Sequence, residues 1–165
     1  MRATTWAAVI TAALVLKPAV SAAQTSTFML VPGIQGESTD DRHRGWIDVS
    51  SLRQSWEPDG RRRANCVIEI AKPLDASGPP LWLAAVTGQP FGEIQIEAVK
   101  AGETRFRFFQ VKLANARIAG ISTAGGPSFG DTLLLAAETA TLTYWPQLPD
   151  GRAGTPVSST VACGR

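Results

Sequence analysis

The sequence predicts a mainly β protein with one short helix, its sheet closed or packed on both faces. Three observations carry this. Most of the chain beyond residue 24 alternates apolar and polar side chains with a period of two between Gly, Pro and Asp clusters, the pattern of half-buried strands. A single stretch carries helical spacing with start and stop signals. The 165 residues, 44% hydrophobic and 18% charged, suit one compact domain, and neither an internal repeat nor a heptad pattern is visible.

In chain order, residues 1–23 read as a secretory signal peptide: Arg2 supplies the positive start, Trp6 to Leu16 is apolar or small, and "SAAQ" offers a cleavage site near Ala23. The apolar run is short of the roughly 18 residues that a membrane helix needs, so no membrane association is expected once it is removed. Residues 24–165 form the single domain, in which seven strands are expected. "TFMLVP" opens, and "GWIDVSSLRQSW" follows as one long strand. "ANCVIEIA" sets Cys66, Ile68 and Ile70 on one face. "DASGPPLWLAAVTGQ" is the helix, with Ser77 as N-cap, prolines in its first turn and Gly88 as its stop; Leu81, Ala85 and Trp82, Val86 are spaced to pack on a sheet. "GEIQIEAVKAGETRFRFFQVKLANARI" is a hairpin turning at "KAGE". On its return arm the phase slips between Phe106, Phe108 and Phe109, Val111, Leu113, which predicts a bulge near Phe108 or burial of both faces. "DTLLLAAETATLTYW" and "TPVSSTVAC" supply the last two strands, and the Gly-rich stretch Ser122 to Asp131 is a loop between strands.

Charge excludes one class of function. Without Arg2 and Lys17, 14 Lys and Arg stand against 14 Asp and Glu, so the pI of 8.8 belongs to the whole chain and gives no basic face for nucleic acid. The run Arg61 to Arg63 after "PDG" reads as a solvated turn. Cys66 and Cys163, in an exported chain, are a plausible disulfide pair. Two cysteines and one histidine do not make a four-ligand zinc site.

The stretch with most chemical promise is "GIQGESTDDRHRGWIDV", where Glu37, Asp40 and Asp41 precede the lone histidine, His43. Catalysis needs a nucleophile, base and orienting group to meet in space, and a metal needs converging ligands. Turn chemistry explains the composition as well: Glu37, Ser38, Thr39 and Asp40 favour turns, Gly33 and Gly36 permit positive φ, and Gly45 returns the chain to a strand. The charge of His43, between Arg42 and Arg44 and near Asp40 and Asp41, is left open by sequence.

This stretch, with "SW" at Ser55 and Trp56, the "KPLDASGPPL" helix start, "EIQIEAVKAGE", "AGISTAGG" and "ATLTYWPQ", resembles the Hcp family, the tube proteins of type VI secretion systems, over residues 27 to 147. The resemblance implies a small Hcp-like β-barrel of two sheets with a helix at its side. It implies hexameric rings that stack into a tube, meet a spike protein and carry effector proteins, with no cofactor, no metal and no catalytic residue. It also implies that the His43 stretch is a loop between strands. Loops at barrel ends are natural neighbours in a stack. The expected subunit contacts are therefore Gly36, Glu37, Ser38, Thr39, Asp40, Asp41 and His43, together with Gly125, Gly126 and Asp131. Two features depart from the family: the signal peptide, since tube subunits assemble in the cytoplasm, and the tail from Leu148 to Arg165 with its cysteine. They leave two further readings beside the tube: an exported, periplasmic or extracellular, monomeric binding module using exposed Trp46, Trp56, Trp82 or Trp145, and a hydrolase using the His43 loop. For the tryptophans, core packing is the commoner role.

Overall fold

A computed structural model describes residues 24–58, 60, 63–100, 105–126 and 129–164. The expected signal peptide, the tip of the "KAGE" turn and Arg61 and Arg62 lie outside the described residues. The strands are β1 (Thr25–Leu30), β2 (Ile47–Val49), β3 (Ser51–Pro58), β4 (Ala64–Pro73), β5 (Pro90–Lys100), β6 (Phe106–Ala124), β7 (Gly130–Ala136), β8 (Thr139–Tyr144) and β9 (Val157–Ala162), with one helix, α1 (Gly78–Thr87). All pairings between them are antiparallel.

One ladder of nine strands runs in the order β2-β1-β5-β6-β7-β4-β3, with β8 and β9 branching from β6. Its two ends, β2 and β3, are successive in the chain with only Ser50 between them, and the Ser50 amide donates to the Ala71 carbonyl at 2.8 Å. The chain itself thus carries the sheet from one edge to the other, without a hydrogen-bonded pairing between β2 and β3. The single long strand expected from "GWIDVSSLRQSW" is divided at this crossing. The two expected sheets are two parts of one ladder, shared through β6.

Two irregularities let the 19-residue β6 serve both parts. Ala98 lies opposite Phe109 and Val99 opposite Arg107, so Phe108 is an extra residue, the bulge that the phase slip predicts. Further on, Asn115 adopts a left-handed φ of 48°, which an Asn side chain tolerates, and its Nδ2 donates to Glu138 at 2.9 Å. There the partner changes: Phe109 to Ala114 pair with β8, Arg117 to Ala124 with β7. The single strand expected from "DTLLLAAETATLTYW" breaks at this corner into β7 and β8.

Alternation places the core as the sequence predicts. Ile68, Ile70, Ile94, Ile96, Val111 and Leu113 are buried and pack with Met29, Ile47, Leu133 and Leu135. The helix begins after Ser77, whose hydroxyl donates to Asp75 instead of capping an amide, and ends at Gly88 in the left-handed region, its amide donating to Ala84 and Ala85 carbonyls. It buries Leu81 and Ala84. Trp82 and Val86, expected to pack with Leu81, are exposed: the face set by i, i+3 spacing from Leu81 turns them away. Trp46, Trp56 and Trp145 are half-buried.

The C-terminal tail adds β9 to the outer side of β8, and Cys163 is bonded to Cys66 with a Cα separation of 5.5 Å. The Cys163 amide donates to the Glu138 carbonyl and the Gly164 amide to the Ala64 carbonyl, both at 2.8 Å.

Candidate functional site

The loop between β1 and β2 folds back on itself. Gly36 donates its amide to the Gly45 carbonyl, Gly45 to Ser38, and Ser38 to Trp46, at 2.9 to 3.0 Å. Gly33 uses positive φ, as expected, and so does Gly45, whereas Gly36, expected to use it as well, does not. Gly36 is required for another reason: a Cβ there would lie 2.3 Å from the Trp46 carbonyl oxygen. The Asp40 Oδ1 accepts the amides of Arg42 and His43 at 3.1 Å, an Asx turn that sets His43 pointing inward.

His43 is 3% exposed and lies over the outer face of β1 and β5. Its ring stacks on Phe28 at 4.3 Å and meets Trp46 edge-on at 4.8 Å. Nδ1 is 2.7 Å from Asp40 Oδ1 and Nε2 is 3.0 Å from Glu97 Oε2. Each ring nitrogen thus faces a carboxylate acceptor, and donating to both requires two N–H groups. The carboxylates are in turn held from outside: Arg105 pairs with Asp40, while Arg107 donates to Glu97 Oε1 at 2.5 Å, beside Gln110 at 2.8 Å and Gln95 at 2.5 Å. Burial pushes the Glu97 carboxyl up, but hydrogen bonds from His43, Arg107 and Gln95 and the Arg107 charge outweigh it and hold the group below its usual value. The Arg107 guanidinium also lies 4.3 Å over the Trp145 ring.

The cluster fastens the loop to the strands beneath it. Both ring nitrogens are engaged, and among the described residues no group of three or more His, Cys, Asp or Glu side chains is placed to hold a metal. Ser38 and His43 are buried, Gly36 is enclosed, and Glu37, Thr39 and Asp41 are exposed at the loop surface. Glu37 also reaches the segment just before the helix, its Oε1 accepting the Ala76 amide at 3.1 Å.

The second predicted contact region divides. Gly125 and Gly126 are exposed, whereas Asp131 is buried and takes no part in the His43 cluster.

 Asp131, in β7, is 1% exposed and faces Lys72 of β4 and the start of the helix. Its Oδ2 pairs with the fully buried Lys72 ammonium at 3.2 Å, its Oδ1 accepts the Thr123 hydroxyl at 2.6 Å, and Lys72 reaches Asp75 at 2.7 Å. Asp75 in turn accepts the amide and hydroxyl of Ser77, so this internal ion cluster anchors the start of α1.

Sequence reasoning missed Glu97, Gln95, Gln110, Arg105 and Arg107, which belong to a hairpin far from the His43 loop in the chain, and no local signal joins them. Lys72 did carry a signal. It continues the inward phase of Ile68 and Ile70, so alternation alone places its side chain in the core.

Comparison with known proteins follows the same outline. A comparison with curated proteins gives no match. Among solved structures, a type six secretion system protein superimposes with a TM-score of 0.74 at 24% identity, covering 81% of this chain and 92% of that one. Hcp1 from Salmonella typhimurium gives 0.72 at 21% identity, covering 84% and 94%, and a type VI secretion system effector from Yersinia pestis gives 0.71 at 18%, covering 82% and 98%. These similarities show the fold. The family model described as "Type VI secretion system effector, Hcp" matches residues 28–147, from Phe28 beneath the His43 ring to Gln147 past β8, and the chain therefore belongs to the Hcp family, the tube proteins of type VI secretion systems.

Proposed function

We propose that this chain is an exported, ring-forming member of its family: a structural subunit that closes into hexameric rings, stacks them into a tube and holds effector proteins in the lumen beneath a spike protein. The observation that carries this reading is the family match over residues 28–147, which takes in the whole His43 loop. The loop's construction supports it. A contact element in a stack must keep its shape before the partner arrives, since ordering it on binding would cost affinity. Here His43, Asp40 and Arg105 fix the loop to the barrel while Glu37, Thr39 and Asp41 face outward. Gly36 to His43 form one contact region, and Gly125 and Gly126 a second, with Asp131 anchoring the strand behind it. The engagement of both His43 nitrogens favours a structural role over catalysis. The disulfide suits an oxidising compartment, periplasmic or extracellular, reached through the N-terminal signal.

The test is the assembly state of the full-length chain, expressed with its own N-terminus and purified without reductant, by light scattering and electron microscopy. Six-fold rings are expected. A monomer at all concentrations would overturn the tube reading and leave the barrel as a binding module.

A further inference from the structure

We propose that the cavity lined by Arg42, Trp46, Phe106, Arg107 and Trp145 is a binding site for a small aromatic anion, a flat ring carrying a carboxylate or a phosphate. The cavity measures about 410 Å³, within the range of small-ligand sites. Of Trp46, Trp56, Trp82 and Trp145, the fold brings Trp46, from the loop before β2, and Trp145, just past β8, to this one place. His43 and Glu97 also line it, and Ala153 brings in the C-terminal tail.

The aromatic walls are set before a ligand arrives. The Arg107 guanidinium lies 4.3 Å over the Trp145 ring, Trp46 stands edge-on to His43 at 4.8 Å, and the Lys100 ammonium is 6.0 Å over Phe106 while donating to Gln147 at 3.1 Å. The tail is folded where it meets the cavity: Gly154 donates its amide to the Pro146 carbonyl at 2.7 Å, and Gln147 bridges to Ala153. Walls held in this way spare a ligand the cost of ordering them. Trp46, Phe106 and Trp145 are all half-buried, so each keeps ring surface to offer.

The polar groups select the charge. Glu97 accepts His43 on Oε2 and Arg107, Gln95 and Gln110 on Oε1, four donors for a carboxylate with about four lone-pair sites. Asp40 is spent in the same way, on two backbone amides, His43 and Arg105. Donors remain. Among the described bonds Arg107 uses only Nη1, on Glu97, and the exposed Arg42 meets no carboxylate, its guanidinium touching only the Arg105 carbonyl at 3.4 Å. Guanidiniums with free N–H groups match carboxylate or phosphate oxygens, which only accept, while the rings take a flat apolar body. A neutral sugar fits less well, because its hydroxyls also donate and find no acceptor free on Glu97 or Asp40. The site lies within one chain and does not rest on the ring reading.

The experiment follows the indole N–H signals of the full-length, oxidised, isotope-labelled chain by NMR, assigned with single Trp-to-Phe variants. The probes are 3-phenylpropionate and phenyl phosphate, with 3-phenylpropanamide as the uncharged control and cellotriose as the sugar. The Trp46 and Trp145 signals should move saturably with at least one of the two anions, at a Kd of about 1 mM or tighter, while that of Trp82 stays still. The tighter of the two anions identifies the charged group. Arg42→Gln should weaken binding about tenfold, the effect of losing a hydrogen bond to a charged group, and Arg53→Gln, on β3, should leave it unchanged. Should Arg42→Gln not fold, the amide control carries the charge test on the unaltered chain. No saturable movement with either anion, equal binding of the amide, equal movement of Trp82, or binding of cellotriose in place of the anions overturns the proposal.

Discussion

Replacing Lys72 with Met tests whether the buried ion cluster holds the helix to the barrel. The Lys72 side chain is fully buried between Asp75 and Asp131, and the Asp131 side chain is equally inaccessible, while Asp75 is 10% exposed. Methionine fills similar space but leaves Asp131 with the Thr123 hydroxyl as its remaining partner among the bonds described here. Removing one partner of a buried pair costs about 3–5 kcal/mol, because the other charge stays desolvated without compensation. At about 2–4 °C per kcal/mol for a chain of this size, melting should fall by about 6–20 °C. The double variant Lys72→Met, Asp131→Asn removes the stranded charge and should recover much of that loss, giving a coupling of about 1–3 kcal/mol in a double-mutant cycle. Thermal melting and urea titration of the four proteins, disulfide intact, provide the reading. A single-variant cost below about 1 kcal/mol, or strictly additive losses, would refute the anchoring argument.

Other perturbations reach other parts of the fold. Cys66 and Cys163 are separated by 97 positions, so the chain-entropy model gives their bond about 4–5 kcal/mol; urea midpoints of Cys66→Ser, Cys163→Ser should fall accordingly, and a loss under 1 kcal/mol would sink that account. Glu97 is depressed below its ordinary 4.5, so its contribution is fully present above about pH 4.5 and is lost as pH falls through the lower folded value. Stability should therefore drop on that acid limb, and Glu97→Gln should flatten it; an unchanged limb would remove Glu97 as its source. Gly36→Ala should cost about 1–3 kcal/mol by overpacking against Trp46 and Ile47, read by thermal melting, and a melting point equal to that of the parent would show that the loop yields freely.

Much of the architecture was legible because it depends on local pattern. Alternation placed Ile68, Ile70, Ile94 and Ile96 in the core, and the phase slip marked the bulge at Phe108. Proline and glycine bounded the helix. Its buried face was misread, since Trp82 and Val86 are apolar yet exposed and composition alone does not say which of two apolar stripes meets the sheet.

The His43 loop shows where such reading stops. Its sequence determined a tight, glycine-dependent turn with an Asx bond from Asp40, because those contacts lie within a few residues. It did not determine that His43 bridges to Glu97, 54 positions away, because that contact exists only once β1 and β5 pair and bring Phe28 and Glu97 to the same outer face. The cysteines were likewise nameable as a pair from their number and setting, while β9 and the Ala64–Cys163 bridge that bring them together belong to the assembled sheet. Sequence fixes which side chains alternate inward; long-range strand pairing decides which of the outward ones meet.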